Sequence, residues 1–133
     1  MDRRSCLGLG ALGVAAMTLK APEAHAAALP IVLYVDLSVA PAREAEFLAA
    51  YHNHFKPVAK KHDGYIDLTI ARIEKTLQGA GPAKGVNFRF QLTWQNEALR
   101  QKWVASDDHV KNWPLLEKTL TDKNYTVILT QAV

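Results

Sequence analysis

Gly85-Val86-Asn87-Phe88-Arg89-Phe90-Gln91-Leu92-Thr93-Trp94 is the stretch on which the fold turns. From Val86 onward its side chains alternate: Phe88, Phe90, Leu92 and Trp94 fall on one face of an extended strand, and Arg89, Gln91 and Thr93 on the other. A strand this bulky on one side belongs in a sheet with helices packed over that side. Three other segments alternate in the same way. Ile31 to Ser38 sets Ile31, Leu33, Val35 and Leu37 against Val32, Tyr34, Asp36 and Ser38. Tyr65 to Ile73 sets Ile66, Leu68 and Ile70 against Tyr65, Asp67 and Thr69, and Asn124 to Gln131 sets Tyr125, Val127 and Leu129 against Thr126, Ile128 and Thr130.

Helical spacing fills the gaps between these strands. Pro41 opens a long helix whose inward stripe reads Phe47, Tyr51, His54/Phe55, Val58 and His62, and Gly64 ends it. Pro57 removes a backbone donor inside it, which predicts a kink or a detached last turn. Gly79, Gly81, Pro82 and Gly85 mark a surface loop before the third strand. After that strand, Asn96 caps a helix through Leu99, Trp103 and Val104 to about Ser106. Asp107 or Asp108 starts a further piece through Leu116 and Leu120, interrupted at Trp113-Pro114.

The order β-α-β-β-α-β predicts an α+β, ferredoxin-like antiparallel sheet with both helices on one face, because the crossovers are right-handed. The uncovered face carries Tyr34, Tyr65, Thr69, Gln91 and Ile128, a mixed surface that predicts a homodimer packed through it. By parity Arg89 and Asp67 lie on that face, paired with each other or with Asp36.

Composition bounds the function classes. With 133 residues, 16 Lys+Arg against 13 Asp+Glu, 49% hydrophobic and 22% charged residues, the chain holds one domain with one core and is not disordered. No apolar run reaches the roughly 18 residues of a membrane-spanning helix. The formal net charge of +3 comes without a Lys/Arg block interleaved with aromatics, so no nucleic-acid partner is expected.

Residues 1–26 read as an export signal: Arg3-Arg4, an apolar small-residue run from Ser5 to Leu19, Lys20, and Ala24-His25-Ala26 at a cleavage site. The arginine pair and the Gly/Ala-rich run resemble a twin-arginine signal, although Asp2 precedes the pair and Cys6 stands where that pattern has Phe, so a general secretion signal stays open. The expected mature domain is 27–133, periplasmic or secreted, and it has lost Cys6, the single cysteine, and with it thiolate and disulfide chemistry.

Several chemistries lack their signals. His52 and His54 differ by two helical positions and point apart, and no i,i+4 His/Glu pair is present, so no metal is expected. Gly79-Ala80-Gly81-Pro82 has no Lys-Ser/Thr ending and enters no helix, unlike a phosphate cradle. No serine sits in a G-x-S-x-G context.

Four features resemble the antibiotic biosynthesis monooxygenase family of dimeric α/β barrels. They are the helix containing Tyr51 and Pro57, the Asp63-Gly64-Tyr65 turn, the strand ending Thr93-Trp94-Gln95-Asn96-Glu97, and Trp103 followed by Ser106 and His109. The resemblance spans nearly all of Ile31 to Gln131. It implies a cleft between helices and sheet that oxidises a small aromatic or quinol with O₂, without flavin, haem or metal. Val35 and Trp113 stand where haem-degrading members carry an asparagine and the haem-ligating histidine, so haem degradation is disfavoured.

Such an oxygenase needs a base with a pKa near the working pH to ionise a phenol in an apolar pocket. His54 on the inward stripe and His109 across from it are the acid/base candidates. Tyr51, Trp94 and Trp103 are the substrate-binding candidates, with Trp113 close to the same cleft. The plainer readings stand beside these: capping or surface histidines, and tryptophans that only fill the core. A non-catalytic periplasmic binding or stress-response module and a purely structural dimer therefore remain alternatives.

Overall fold

The computed structural model describes residues 29–133; the expected export signal lies outside them. Four antiparallel strands are followed in chain order as β1 (Ile31–Val39), β2 (Tyr65–Arg72), β3 (Phe88–Trp94) and β4 (Leu120–Gln131). They stand in the order β2-β3-β1-β4. The chain is the expected ferredoxin-like α+β fold, with its helices over one face. Among the described residues no helix is long and apolar enough to cross a membrane.

Parity predicted the inner face of the two central strands. Ile31, Leu33, Val35, Leu37 and Val39 of β1 are buried, as are Phe88, Phe90 and Trp94 of β3. Their register aligns Ile31 with Trp94 and Val35 with Phe90. On the other face Asp36 lies opposite Arg89, whose Nε and Nη2 donate to its carboxylate at 2.7 and 3.0 Å, while the guanidinium sits 5.9 Å from the Tyr34 ring. Asp36, not Asp67, is the partner of Arg89.

In β2 the alternation breaks at its first residues. Tyr65 pairs with Trp94 and Asp67 with Thr93, so one extra residue is accommodated as a bulge. Tyr65 consequently turns inward, its ring edge-on to Trp94 at 5.9 Å, and Ile66 is left 47% exposed. Both are the reverse of the expected facing, since a bulge flips the residues on its far side.

The first helical layer also departs from a simple 3.6-residue pattern. A 3₁₀ turn (Pro41–Arg43) leads into α1 (Glu44–Ala50), a π-helical turn (Tyr51–Phe55) and α2 (Lys56–Ala59). The Lys56 amide donates to the Tyr51 carbonyl five residues back, so the helix is locally widened. Phe47, Tyr51, Phe55 and Ala59 then line up on the buried face at four-residue steps, and His54 rotates outward. Pro57 falls in α2, the four-residue last segment that the π-helical turn sets off from α1, in keeping with the second of the two expected outcomes.

Gly64 closes this layer with φ +89°, and a Cβ there would lie 2.7 Å from Leu99 Cβ and Cδ1, so both conformation and contact require glycine. Its carbonyl accepts from the Gln95 amide at 2.8 Å, tying the start of β2 to the end of β3.

Asn96 caps α3 (Glu97–Ala105), its Oδ1 accepting from the Leu99 amide at 2.9 Å. Ser106 caps α4 (Asp107–Glu117) by accepting from the His109 amide at 3.2 Å. Pro114 lies inside α4 without ending it, and Leu120 begins β4 instead of extending the helix, two corrections to the expected boundaries.

Candidate functional site

Between β1, β3 and β4 on one side and the helices on the other lies a pocket of about 220 Å³, open on one side. Leu33, Val35, Phe90 and Leu92 form its floor, and Tyr125 and Val127 of the edge strand form one side. Phe55, Trp103, Val104, His109 and Trp113 roof it, and Arg100 is the one formally charged side chain in the lining.

His109 enters from the first turn of α4, where the Ser106 cap fixes the backbone. Its imidazole stands edge-on to Trp103 at 5.1 Å and stacks parallel to Trp113, one helical turn on, at 6.1 Å and 15°. Burial, with the nearby Arg100 charge adding to it, holds its pKa below the ordinary 6.5. His109 is therefore neutral at neutral pH and able to accept a proton.

Trp113 is fixed from its other edge. Its Nε1–H donates to the Tyr125 hydroxyl at 3.0 Å, and that hydroxyl lies 3.5 Å from Glu117 Oε2. Burial is the main cause that pushes the Tyr125 phenol above its ordinary pKa, so it stays a neutral donor.

Of the expected site residues, the structure gathers His109 and Trp103. Trp94 points inward as predicted, but the space there is filled. Its indole is 1% exposed and stacks on Trp103 at 5.9 Å and 27°, behind the pocket wall, and its Nε1–H has no hydrogen-bond partner among the described residues. Tyr51 is buried beside Phe90, with its hydroxyl donating to the Leu68 carbonyl at 3.1 Å. Burial, reinforced by Tyr65 and Asp67, pushes its pKa up to about 12, and it does not line the pocket.

His54 is exposed in a separate groove with Glu46, Asn53, Leu115 and Lys118. The π-helical turn is what moves it out of the expected cleft.

Arg100 and Tyr125 were missed as lining residues, although both were within reach of the patterns. Tyr125 lies on the inward parity of its strand with Val127. Arg100 lies three residues before Trp103 on α3, hence on the same helical face.

Among the described residues no three His, Cys, Asp or Glu side chains gather around a common point.

No family model and no curated protein sequence matches the chain. Solved structures do. A candidate antibiotic biosynthesis monooxygenase from Bordetella bronchiseptica superposes with a TM-score of 0.63 at 17% identity, covering 79% of this chain and 98% of that one. A second such candidate, from Caulobacter crescentus CB15, has a TM-score of 0.63 at 14% identity, covering 79% and 91%. A dimeric ferredoxin-like protein of unknown function from Jannaschia sp. CCS1 has a TM-score of 0.65 at 11% identity, covering 77% and 99%. The fold to which the sequence motifs pointed is thus shared with structures bearing that family's name. At these identities the likeness establishes fold alone.

Proposed function

We propose that this chain is an exported, homodimeric oxidoreductase of the antibiotic biosynthesis monooxygenase type that oxidises a small phenol or quinol with O₂ in the Trp103–His109–Trp113 pocket. One observation carries the reading: the His109 imidazole is held between two indoles in a pocket whose lining is apolar apart from Arg100, the Tyr125 hydroxyl and the imidazole itself. His109 accepts the phenolic proton, and the flat apolar walls hold the electron-rich anion against O₂ away from bulk water. The ionised phenol is itself the electron donor: one atom of O₂ replaces hydrogen on a ring carbon to give a quinone, and the other leaves as water with the two hydrogens the substrate has lost, so the balance needs no flavin, haem or metal. Dimerisation through the open sheet face is supported by the half-exposed apolar Ile128 there and by the fold shared with a dimeric protein.

An oxygen electrode with a panel of quinols and naphthols tests the proposal. The wild type consumes O₂ with at least one of them, and His109→Ala lowers the rate by about 10²-fold or more. The rising limb of its pH profile lies below 6.5, because burial lowers the imidazole pKa. An uptake equal in wild type and His109→Ala refutes the catalytic role.

A binding module without turnover is the second reading, favoured by the fact that only one of the two expected histidines reaches the pocket. Ligand-induced thermal shifts without any O₂ uptake select it.

A further inference from the structure

We infer that the pocket is selective for planar aromatics that carry an anionic oxygen group, an aryl carboxylate being the simplest, with that group held by Arg100. The inference rests on the aromatic-pocket reading above and adds a charge preference to it.

The lining contains no Asp or Glu, so its single formal charge is the Arg100 guanidinium. That side chain is only 22% exposed, and its salt-bridge partner approaches from outside the pocket. Glu97 takes Nε at 2.6 Å and Nη2 at 2.7 Å while belonging to a neighbouring groove with Leu29, Ile31 and Asn96. The pair therefore fixes the guanidinium plane. Nη1 has no hydrogen-bond partner among the described residues, and a planar fork held on one edge by a carboxylate keeps donors for a second.

Partial desolvation strengthens whatever charge-assisted hydrogen bond forms there. A carboxylate stands behind the lining at both ends, but Glu117 behind the Tyr125 hydroxyl has no cation of the lining in front of it, whereas Glu97 is taken up by Nε and Nη2 of Arg100, so a negative group is directed toward the Nη1 edge of the guanidinium. A bound aryl carboxylate thus has one favoured direction, its rings under the Trp103, His109 and Trp113 roof and over Leu33 and Leu92, and its charge at α3.

Quenching of tryptophan fluorescence tests this with three probes on one ring system: 2-naphthoate, 2-naphthol and 2-naphthylmethylammonium at pH 7.5. In the wild type, 2-naphthoate is expected to bind about tenfold tighter than 2-naphthol, the size of one charge-assisted hydrogen bond, and the ammonium probe weakest. Arg100→Gln abolishes the 2-naphthoate advantage and leaves 2-naphthol affinity within about twofold, which also shows that the variant is folded. Arg100→Lys restores part of the advantage, as a point charge without the planar fork. In the wild type alone, raising the salt concentration weakens 2-naphthoate but not 2-naphthol.

Equal binding of the anionic and neutral probes, or a 2-naphthoate preference that survives Arg100→Gln, overturns the inference and leaves the aromatic pocket standing. Failure of all three probes to bind overturns both.

Discussion

Where β1 and β3 pair Ile31 with Trp94, the Trp94 and Trp103 indoles and the inward-turned Tyr65 pack directly on one another; where they pair Val35 with Phe90, the same layer opens into a pocket of about 220 Å³. Both regions are aromatic and both lie between the same sheet and helices. They differ in what holds each ring. Trp94 is held only by its packing against Trp103 and Tyr65, its Nε1–H having no hydrogen-bond partner among the described residues. Trp113 is anchored by its hydrogen bond to Tyr125 and by the parallel His109 ring, so it cannot swing in to fill the hollow. A cavity persists in a protein core where its walls have partners elsewhere.

The largest effect expected from this contrast is at the solid end. Trp94→Ala should cost about 3–5 kcal/mol in guanidinium-chloride unfolding, as for other large-to-small changes in a packed core. A loss under about 1 kcal/mol would mean that the Trp94 end is no better packed than the pocket, and the comparison would fail. At the hollow end, Tyr125→Phe removes the acceptor for the Trp113 Nε1–H and should cost about 1 kcal/mol. It should also weaken naphthol binding measured by fluorescence, since the indole is then free to collapse into the pocket. Unchanged affinity would show that the anchor does not keep the pocket open.

A pH titration sharpens the same contrast. Above the ordinary value of 6.5, His109 is neutral in the folded and unfolded chain alike. As pH falls below 6.5 the unfolded chain takes up the proton first, so this group lowers stability progressively until pH passes its depressed folded value. The stability of the wild type relative to His109→Gln should therefore fall on acidification over that window, and a pH-independent difference argues against a buried imidazole. The smallest effect belongs to His54: His54→Ala should change stability by no more than about 0.5 kcal/mol and leave naphthol binding untouched.

Much of this architecture was legible in alternation alone. Phe88, Phe90 and Trp94 are inward because successive strand residues face opposite sides, and Asn96 caps its helix because its side-chain oxygen has an amide to accept from. What escaped the pattern depends on register and packing between distant segments. The bulge that exposes Ile66 exists only against β3, and the π-helical turn that expels His54 shifts the phase of a helix whose apolar spacing reads acceptably either way.

The pocket itself lay furthest from sequence reasoning. Trp94, Trp103 and Trp113 are all inward aromatic residues near one another in the chain. Whether each fills space or bounds it follows from partners such as Tyr65 and Tyr125, which lie on other strands.

The most direct test of the account is a crystal structure of the protein grown with 2-naphthol. The account predicts the naphthol rings between Trp103, Trp113 and Phe90, with the hydroxyl toward His109 and the Trp94 side chain unmoved behind the wall. An empty site with Trp113 folded into the hollow, or the ligand seated against Trp94 instead, would contradict it.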